Sequence, residues 1–498
     1  MNKFYITTSI AYTNAPPHIG YTLELLQADV LARYHRLLKD DVFFLTGTDE
    51  HGRKVAQASE EAGKSPKEFC DELSGKFREL AKVLNISNDD FIRTTDQKHH
   101  WPAVKEVWQK LKENGDIYKK KYRGLYCSGC EAFITKKDLK DGKCVNHQKE
   151  PEIIEEENYF FRLSKYASKI KEAIEKDKIK IISEPRKNEM LSFIEQGLED
   201  ISFSRPRKDL KWGIPVPDDE TQTIYVWADA LTNYISALGY PDGKNFKRYW
   251  PADMHCVGKD IQKFHSLIWP GMLLSLGLSL PKTILVHGFI TVAGQKMSKS
   301  LGNVVDPFEL VNKCGIDAVR YFLLREIPST EDGDFTEEKF KGRYNADLAG
   351  GIGNLVARVI TMAEMSNIKY PALRGRGSPN KVGRQKSKIQ IKNQKFIDKI
   401  WRDYRKALEE FKFNEALIVI WELISWCDGY IDREQPWKLL ANRKSQIASR
   451  RLNEVLGNLL FAISEIAKLL QPFLPGTSEK ILEQLKTLKS ESLFPRLK

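Results

Sequence analysis

The sequence predicts an α/β protein built on a split, doubly wound parallel sheet, with an inserted knuckle and a C-terminal α-helical bundle. Three observations support this prediction. Short apolar runs end abruptly in polar, glycine-containing clusters, a cysteine-rich stretch lies between two of them, and long amphipathic helical patterns begin at about Tyr344. Together they describe a Rossmann-like domain that is interrupted by an insertion and followed by a helical domain.

Four apolar runs predict the strands of the sheet. They precede the clusters SIAYTNAPPHIG, TGTDEHG, GKD and HG, and they cover Phe4–Thr8, Val42–Leu45, Met254–Val257 and Ile284–Val286. A helical pattern over Leu23–Leu38 separates the first two runs. Because ligands of a doubly wound sheet lie at the carboxyl ends of its strands, we expect the four polar clusters to line one crevice.

The spacing of these runs predicts four segments. Roughly two hundred residues separate the second cluster from the third, so an insertion splits the sheet domain. Further along the chain, helical patterns cover Asn393–Glu410, Glu415–Tyr430 and Arg451–Leu470, and the basic stretch Arg374–Lys388 is interpreted as a surface loop. The expected boundaries are 1–115 and 211–343 for the two halves of the sheet domain, 116–210 for the insertion with its knuckle at 122–151, and 344–498 for the helical domain.

The charge balance is compatible with a polyanionic partner. The 498 residues include 79 Lys and Arg against 67 Asp and Glu, which gives a net charge of +12 and a pI near 9.1. Many mildly basic enzymes bind no nucleic acid, so charge alone leaves the partner open. The hydrophobic fraction of 41% and the charged fraction of 29% argue against a disordered or fibrous chain.

The sequence predicts a cytoplasmic protein without a membrane partner. Its start, MNKFYITTSIAYTNAPP, lacks the unbroken apolar segment of a signal peptide, and Pro and Gly interrupt the apolar region Leu267–Val292. Seven cysteines are an odd number for a disulfide framework and fit a reducing compartment better, which leaves thiols available for a metal.

Two separated motifs are suited to binding phosphate groups. His18 and Gly20 lie between the first strand and a helix, where a helix N-terminus favours anions and Gly permits close approach to the backbone. Lys296 and Lys299 lie far downstream in the glycine-flanked segment KMSKS, where two lysines can neutralise charge that develops on a triphosphate. Taken singly, each motif is better explained by an ordinary surface feature, which is a turn with a surface histidine for the first and a solvated basic loop for the second.

In this order, HIG near the N-terminus and KMSKS resemble the paired signature of class I aminoacyl-tRNA synthetases. Further segments resemble methionyl-tRNA synthetases, and the resemblance covers most of the chain. These segments are FLTGTDEHG at Phe44–Gly52, YVWADA at Tyr225–Ala230, GKDIQKFHSLIWP at Gly258–Pro270 and VHGFITVAGQKMSKS at Val286–Ser300.

The resemblance implies a two-step ligase reaction. L-methionine and ATP, which carries magnesium, would form methionyl-adenylate and pyrophosphate, and methionine would pass to the 3′ end of initiator and elongator methionine tRNA with release of AMP. The residues implied in catalysis or ATP binding are His18, Gly20, Tyr21, Gly258, Asp260, Lys296 and Lys299. Asp260 would contact the adenylate or organise the pocket together with Arg205. Tyr21 stands where the family usually has a second histidine, so the role of that position is open; a phenol can still donate a hydrogen bond.

The resemblance also implies a methionine pocket. Asp49 would hold the substrate ammonium, and aromatic walls suit a polarisable thioether. The alternative for Trp227 and Tyr234 is ordinary core packing. The remaining residues implied in methionine binding are Ser9, Ile10, Tyr12, Trp227, Ala230, Leu231, Tyr234, Ile261 and His265.

The insertion contains a pattern typical of zinc knuckles. Cys127 and Cys130 form one short-spaced pair, and Cys144 and His147 form a second pair after thirteen intervening residues. Four protein ligands close a tetrahedral site, so one zinc ion per chain is expected to be structural. The remaining cysteines are interpreted as small core residues.

Three residues of the helical domain match the positions with which the family reads the CAU anticodon. Asn354 and Arg358 are four residues apart and share a helix face, and Trp437 follows Pro436 at a predicted helix start. An exposed indole can stack on an unpaired base. The alternative is a capping Asn, a surface Arg and a core Trp.

Other functions fit less well. Cysteinyl-tRNA synthetase needs a metal in its crevice, and Ser9 stands where one of its cysteines would be expected. The leucine, isoleucine and valine enzymes carry a large editing insertion for which this chain is too short. A catalytically inactive RNA-binding relative is not excluded by fold, although Asp49, Lys296 and Lys299 argue against it. Since the chain ends at Lys498 without an appended tRNA-binding domain, a monomer is expected.

Overall fold

The computed structural model describes residues 2–130, 132–134, 138–146, 148–297, 302–368 and 389–497. It divides into two compact units, Met1–Phe289 and Ile290–Lys498. The predicted loop Arg374–Lys388 lies outside the described residues.

The first unit is built on a parallel sheet of seven strands in the order β10-β16-β15-β1-β3-β2, with β4 also paired to β3. Its pairings are all parallel, and β1 lies between β3 and β15. The strands of this sheet are β1 (Lys3–Thr8), β2 (Ala11–Tyr12), β3 (Asp41–Asp49), β4 (Asp90–Arg93), β10 (Lys180–Ile182), β15 (Met254–Gly258) and β16 (Thr283–His287). Five of the six β1 residues are buried, as expected where helices cover both faces of a parallel sheet. The predicted fold class is confirmed.

Helices connect and cover these strands. The first one begins directly after His18, and the third begins with a capping box between Ser65 and Glu68. The helices of this unit are α1 (Ile19–Leu37), α2 (Arg53–Glu61), α3 (Pro66–Val83), α4 (His100–Glu113), α5 (Ala167–Glu175), α6 (Glu184–Glu195), α7 (Val226–Ala230), α8 (Asn233–Ser236), α9 (Lys244–Tyr249) and α10 (Trp269–Ser275).

An antiparallel insertion separates the two groups of parallel strands. Its long pair, β5 and β9, runs antiparallel from Ile117 opposite Phe161 to Tyr126 opposite Glu152. The strands of the insertion and the adjoining small sheets are β5 (Ile117–Cys127), β6 (Ala132–Ile134), β7 (Leu139–Lys140), β8 (Lys143–Cys144), β9 (Glu152–Phe161), β11 (Ile201–Ser202), β12 (Ser204–Pro206), β13 (Pro215–Val216) and β14 (Asp219–Ile224).

The core of the first unit joins the sheet to the insertion. Tyr5 and Leu45 of the sheet belong to the same buried cluster as Phe161, Phe203 and Trp269. All five side chains are completely buried. The insertion therefore shares a hydrophobic core with the sheet.

The second unit is mainly helical. Its small sheet comprises β17 (Ile290–Val292), β18 (Gln295–Lys296) and β19 (Gly333–Phe335). A π-helical segment, Tyr344–Gly353, leads directly into α14. The helices are α11 (Pro307–Cys314), α12 (Ile316–Glu326), α13 (Glu337–Arg343), α14 (Asn354–Ser366), α15 (Ile389–Glu409), α16 (Phe413–Glu434), α17 (Pro436–Ala441), α18 (Gln446–Leu470) and α19 (Pro475–Thr487).

The predicted helices of the bundle occur as α15, α16 and α18, with bounds that differ by a few residues. Buried Asp317 on α12 accepts hydrogen bonds from the backbone and the hydroxyl of Thr477, in the first turn of α19. A carboxylate there satisfies an otherwise unpaired N–H and complements the helix dipole. Within the described part of the chain, none of the helices has both the length and the apolar character needed to cross a membrane.

Candidate active site

The phosphate-binding motif forms the N-terminus of α1. His18 is the N-cap, and its Nδ1 accepts a hydrogen bond of 3.1 Å from the backbone N–H of Gly20. Burial lowers the pKa of His18, although the nearby Asp260 carboxylate acts in the opposite direction. Because Nδ1 accepts, the proton of the neutral ring lies on Nε2. That nitrogen can donate to an oxyanion, as can the unpaired N–H groups of the helix end.

A buried carboxylate ties three parts of the crevice together. Glu24, on α1, accepts hydrogen bonds at Oε1 from the backbone N–H (2.7 Å) and hydroxyl (2.6 Å) of Ser9, and at Oε2 from His287 Nε2 (2.9 Å). His287 Nδ1 lies 2.8 Å from the carbonyl of Gly288. Both partners of the imidazole are acceptors, so both bonds require the imidazolium form. Burial lowers the pKa of His287, but the Glu24 carboxylate more than compensates, and the pKa is raised. This ion pair fixes the loop after β1 against the end of β16.

Gly258 ends β15 at a point of close approach. A Cβ added there would lie 2.7 Å from Oδ1 of Asp260, so a larger residue would displace that carboxylate. Asp260 is exposed beside the strand end. Arg205, its proposed partner, is buried, donates to Ser202 and the carbonyl of Ser204, and lies 4.6 Å from the ring centroid of Tyr225.

The Tyr21 phenol faces the sheet. Its oxygen lies 3.0 Å from the hydroxyl of Thr46 in β3, and its ring packs edge-to-face against Phe77. Burial raises the pKa of Tyr21 well above its usual range. The phenol is therefore neutral and hydrogen-bonded to the protein.

The predicted methionine pocket has an aromatic wall. Trp227, on α7, stacks on Phe264 with ring centroids 3.6 Å apart and an interplanar angle of 8°. Trp227 also meets His265 edge-on, with 6.3 Å between centroids. Phe264 begins a π-helical segment, Phe264–Ile268, of the kind often found at functional sites.

Tyr234 and His265 form a buried polar pair beside this wall. The Tyr234 hydroxyl donates to His265 Nε2 at 2.7 Å, and His265 Nδ1 donates to the carbonyl of Ile261 at 3.0 Å. Burial lowers the pKa of His265 to about 4, against the smaller effect of the Ile261 carbonyl. The imidazole is therefore neutral at physiological pH.

The other predicted pocket residues lie at or after the ends of β1, β3 and β15, in β2, and on α7 and the turn after it. Asp49 is the buried last residue of β3, and Tyr12 in β2 pairs with it. Ser9, Ala230 and Leu231 are buried, whereas Ile10, Tyr12 and Ile261 are partly exposed. Parallel pairing of β1 with β3 and β15 places the predicted ammonium-binding and phosphate-binding groups at the same edge of the sheet.

A second buried network was not anticipated from the sequence. The Asp229 carboxylate on α7 accepts from His51 Nδ1 at 2.6 Å and from His100 Nε2 at 2.7 Å, and His100 Nδ1 lies 2.8 Å from the Ser236 hydroxyl. Burial raises the pKa of Asp229, but the two imidazoles outweigh it, and the pKa is lowered. The network connects the end of β3 to α4, α7 and α8. Each of its three hydrogen bonds joins residues more than a hundred positions apart, so no local pattern could reveal it.

The second phosphate-binding motif belongs to the other unit. Lys296 is exposed in β18, opposite Thr291 of β17, and its carbonyl accepts from Asn303. Lys299 lies outside the described residues.

The cysteines of the insertion converge as predicted. The Sγ atoms of Cys127, Cys130 and Cys144 lie within 4.8 Å of one another, and Cys127 Sγ accepts a 3.4 Å hydrogen bond from the backbone N–H of Cys130. Soft thiolates gathered this closely fit a zinc ion. His147 lies outside the described residues.

The predicted anticodon residues lie at the surface of the bundle. Asn354 is exposed at the start of α14, and Arg358 one turn later lies 3.8 Å from Asp428 on α16. Trp437, in the first turn of α17, is 42% exposed. A core role for Trp437 is therefore wrong.

The parallel sheet, the helix N-terminus at its strand ends and the aromatic wall beside it belong to a chain that matches the class I tRNA synthetases, which activate amino acids. The family of class I (M) tRNA synthetases matches residues 4–138 and 134–360. The anticodon-binding domain of tRNA ligases matches residues 395–496.

Relatives and solved structures specify the family further. The methionine--tRNA ligase of Thermotoga maritima is 45% identical over 488 residues, which cover 97% of this chain and 75% of the relative. The methionine--tRNA ligase of Brucella suis is 43% identical over 493 residues, which cover 97% of this chain and 92% of the relative. The methionyl-tRNA synthetase of Mycobacterium tuberculosis in complex with methionyl-adenylate superposes with a TM-score of 0.90 at 38% identity, covering 100% of this chain and 99% of that one. The chain belongs to the methionyl-tRNA synthetase family.

Proposed function

We propose that this chain activates L-methionine with ATP to form methionyl-adenylate and pyrophosphate. It then transfers methionine to the 3′ end of initiator and elongator methionine tRNA, releasing AMP. The observation that carries this proposal is the arrangement of β3, β1 and β15 side by side, because their ends bring Asp49, Ser9 and Gly258 to one edge. The proposed site for the methionine amine is then adjacent to the proposed site for the ATP phosphates. In-line attack of the methionine carboxylate on the α-phosphorus requires this proximity.

Each residue has a role that follows from its environment. Asp49 pairs with the ammonium group of the substrate methionine. The carboxylate of the methionine is then the nucleophile that attacks the α-phosphorus of ATP. The neutral His18 donates from Nε2 to a phosphate oxygen, and Gly20 and Gly258 allow the nucleotide to approach the backbone. Asp260, exposed beside Gly258, contacts the adenylate. Lys296 and Lys299 neutralise charge on the departing pyrophosphate.

The methionine side chain enters between aromatic walls. Trp227 presents the face of its indole, and Tyr234 and His265 present apolar faces while their polar atoms are occupied, since Tyr234 donates to His265 and His265 donates to the carbonyl of Ile261. A neutral His265 suits a thioether, because no charge is desolvated when the substrate enters. Ser9, Ile10, Tyr12, Ala230, Leu231 and Ile261 complete the pocket.

Two metals are proposed, one bound to the substrate ATP and one structural. Magnesium bound to ATP would offset the charge of the triphosphate. One structural zinc would be held by Cys127, Cys130, Cys144 and His147, and it would cross-link the knuckle of the insertion. We further propose a cytoplasmic, monomeric enzyme with the segment boundaries expected from the sequence.

The helical bundle recognises the CAU anticodon. The exposed indole of Trp437 stacks on an unpaired base, and Asn354 and Arg358 contact base edges. The ion pair with Asp428 holds the Arg358 guanidinium near the surface of α14 and α16.

ATP–pyrophosphate exchange tests the proposed chemistry. The chain should exchange label only when methionine is supplied, and cysteine, isoleucine, leucine and valine should not replace it at equal concentration. Charging of a methionine tRNA transcript tests the second step. Exchange that is absent with methionine, or stronger with another amino acid, would refute the assignment.

A further inference from the structure

A cavity of about 1040 Å³ lies in the first unit beyond the end of β4. It is bounded by the segment that leads into α4 and by the loop between β12 and β13. Among the described residues, none of the proposed methionine or ATP ligands lines it. It is nevertheless close to the methionine pocket, because His51 in its wall donates to Asp229, which lies between Trp227 and Ala230 on α7.

Two fixed indoles form one part of the wall. The ring centroids of Trp101 and Trp212 lie 5.9 and 5.5 Å from that of His51. Trp101 Nε1 donates to the carbonyl of Thr94, and Trp212 Nε1 donates to that of Glu50. Both rings line the cavity and are partly exposed. Because their N–H groups are already bonded to the backbone, what they offer a ligand is an oriented aromatic surface.

The wall carries an excess of positive charge. Six Lys and Arg side chains and three Asp side chains line the cavity. Asp71 is paired with Arg93 and Lys67, and Asp96 is paired with His99. In contrast, Arg207 and Lys211 are exposed on the β12–β13 loop, and neither forms an ion pair with any residue that the structure describes.

A network of buried hydrogen bonds beneath the cavity fixes the residues that line this side of it. His51, Asp229 and His100 are each at most 2% exposed, and the network continues to Ser236, which also lines the cavity. A preorganised surface loses little entropy when a ligand binds.

We propose that this cavity binds the unpaired nucleotides at the 3′ end of tRNA and guides them towards the methionine crevice. The inference rests on the proposed function. Single-stranded nucleic acid combines flat bases with a regularly charged backbone, and proteins bind it with aromatic surfaces and unpaired cations in one groove. The cavity supplies both, and its volume is at the upper end of the range for ligand sites, enough for more than one small planar group.

A charge-reversal cycle tests the site. The variant combines Arg207→Glu with Lys211→Glu, and the matched control is Lys208→Glu, an exposed lysine of the same loop that does not line the cavity. Binding is measured at fixed salt for methionine tRNA and for the same tRNA without its unpaired 3′ nucleotides. Truncation should weaken binding to the unmodified chain by about tenfold. The double variant should bind intact tRNA about tenfold more weakly and should no longer distinguish the two RNAs.

A second comparison isolates the aromatic surface. Trp101→Phe and Trp101→Leu both lose the bond to Thr94, but only phenylalanine keeps a flat face. Trp101→Leu should bind intact tRNA at least several-fold more weakly than Trp101→Phe, with no difference for the truncated RNA. Melting temperatures recorded alongside confirm that both variants fold.

The outcomes separate the explanations. Equal losses for intact and truncated tRNA, or an equal effect of Lys208→Glu, would overturn the proposal in favour of a general electrostatic field. If AMP or CMP binds the unmodified chain and the double variant abolishes that binding without altering the truncation effect, the cavity is a free-nucleotide site and the proposal is wrong. Absence of methionine-dependent pyrophosphate exchange would instead refute the proposed function, which the RNA-binding cycle does not measure.

Discussion

His265 is a buried imidazole whose two nitrogens are both occupied, one by the Tyr234 hydroxyl and the other by the Ile261 carbonyl. This arrangement requires the neutral ring, and burial lowers its pKa to about 4. An unfolded histidine titrates near 6.5. Below that pH the unfolded chain therefore binds a proton that the folded chain does not, so stability must fall as pH falls from about 6.5 towards 4.

We expect His265 to contribute a loss of on the order of 2 kcal/mol between about pH 7 and pH 5. His265→Gln should be less stable at pH 7 but should show a shallower dependence on pH. Burial lowers the pKa of His255 as well, so His255 contributes to the pH dependence in the same direction. The dependence of stability on pH is therefore reduced in His265→Gln but not abolished. Denaturant unfolding at several pH values measures this, and equal slopes for the two chains would show that His265 is not the titrating group.

The contacts of Tyr21 are compatible with a residue other than the family's usual histidine at position 21. The Tyr21 hydroxyl is bonded to Thr46 and faces the sheet, whereas the neutral His18 ring carries its proton on Nε2, because its Nδ1 accepts from Gly20. We therefore propose that phosphate recognition at this motif depends on His18 and the backbone.

At the scale of single elements, we expect the knuckle of the insertion to depend on a metal. We expect about one equivalent of zinc in protein purified without added metal, because three cysteine sulfurs already lie within 4.8 Å of one another. Cys130→Ser should lose the metal and lower the melting temperature, since zinc binding and folding of such a small knuckle are coupled. Atomic absorption and thermal melting measure the two effects.

Cys314 provides the control for this experiment. It is a partly exposed thiol outside the cluster, so Cys314→Ser should retain the zinc. Metal-free protein with unchanged stability and activity would contradict the assignment.

The KMSKS segment is expected to act on the transition state. Lys299→Ala should slow adenylate formation on the order of a hundredfold while changing the dissociation constant of methionine little, because the lysine neutralises charge that develops during reaction. Pre-steady-state measurement of adenylate formation separates the two quantities. Lys296→Ala should show the same pattern, and small, equal effects on binding and rate would indicate that the segment is only a basic loop.

At the scale of the whole molecule, the proposed anticodon residues lie on the helical bundle, whereas the proposed methionine pocket lies in the first unit. Trp437 belongs to the second unit and is 42% exposed. Trp437→Ala should therefore lower the efficiency of aminoacylation by roughly tenfold or more through lost stacking. Methionine-dependent pyrophosphate exchange, which needs no tRNA, should be nearly unchanged.

Ile447 is the matched control, because it is an apolar side chain, 83% exposed, in the neighbouring helix α18. Ile447→Ala should leave both activities and the melting temperature nearly unchanged. If Trp437→Ala instead lowers thermal stability and both activities in parallel, its effect is structural and the anticodon role is wrong.

The sequence by itself determined the class of fold and the positions of the principal strands and helices, and it supplied the proposed composition of the site. Apolar runs that end in polar clusters predict parallel strands without any knowledge of their neighbours, and short motifs such as HIG and the cysteine pairs carry their own spacing. These signals are local, because strand and helix periodicities and ligand spacings extend over only a few residues. The boundaries of the bundle helices shifted by a few residues, since helix ends depend on caps and packing.

Only the tertiary structure decided which polar groups meet. Glu24 bonds to Ser9 and to His287, and Asp229 joins His51 to His100, across separations that no periodicity encodes. It also decided that His287 is protonated, that His265 is neutral and that Trp437 is exposed. The physical reason is that burial and hydrogen bonding are properties of the packed surroundings. The same side chain takes either protonation state according to the groups that distant parts of the chain bring beside it.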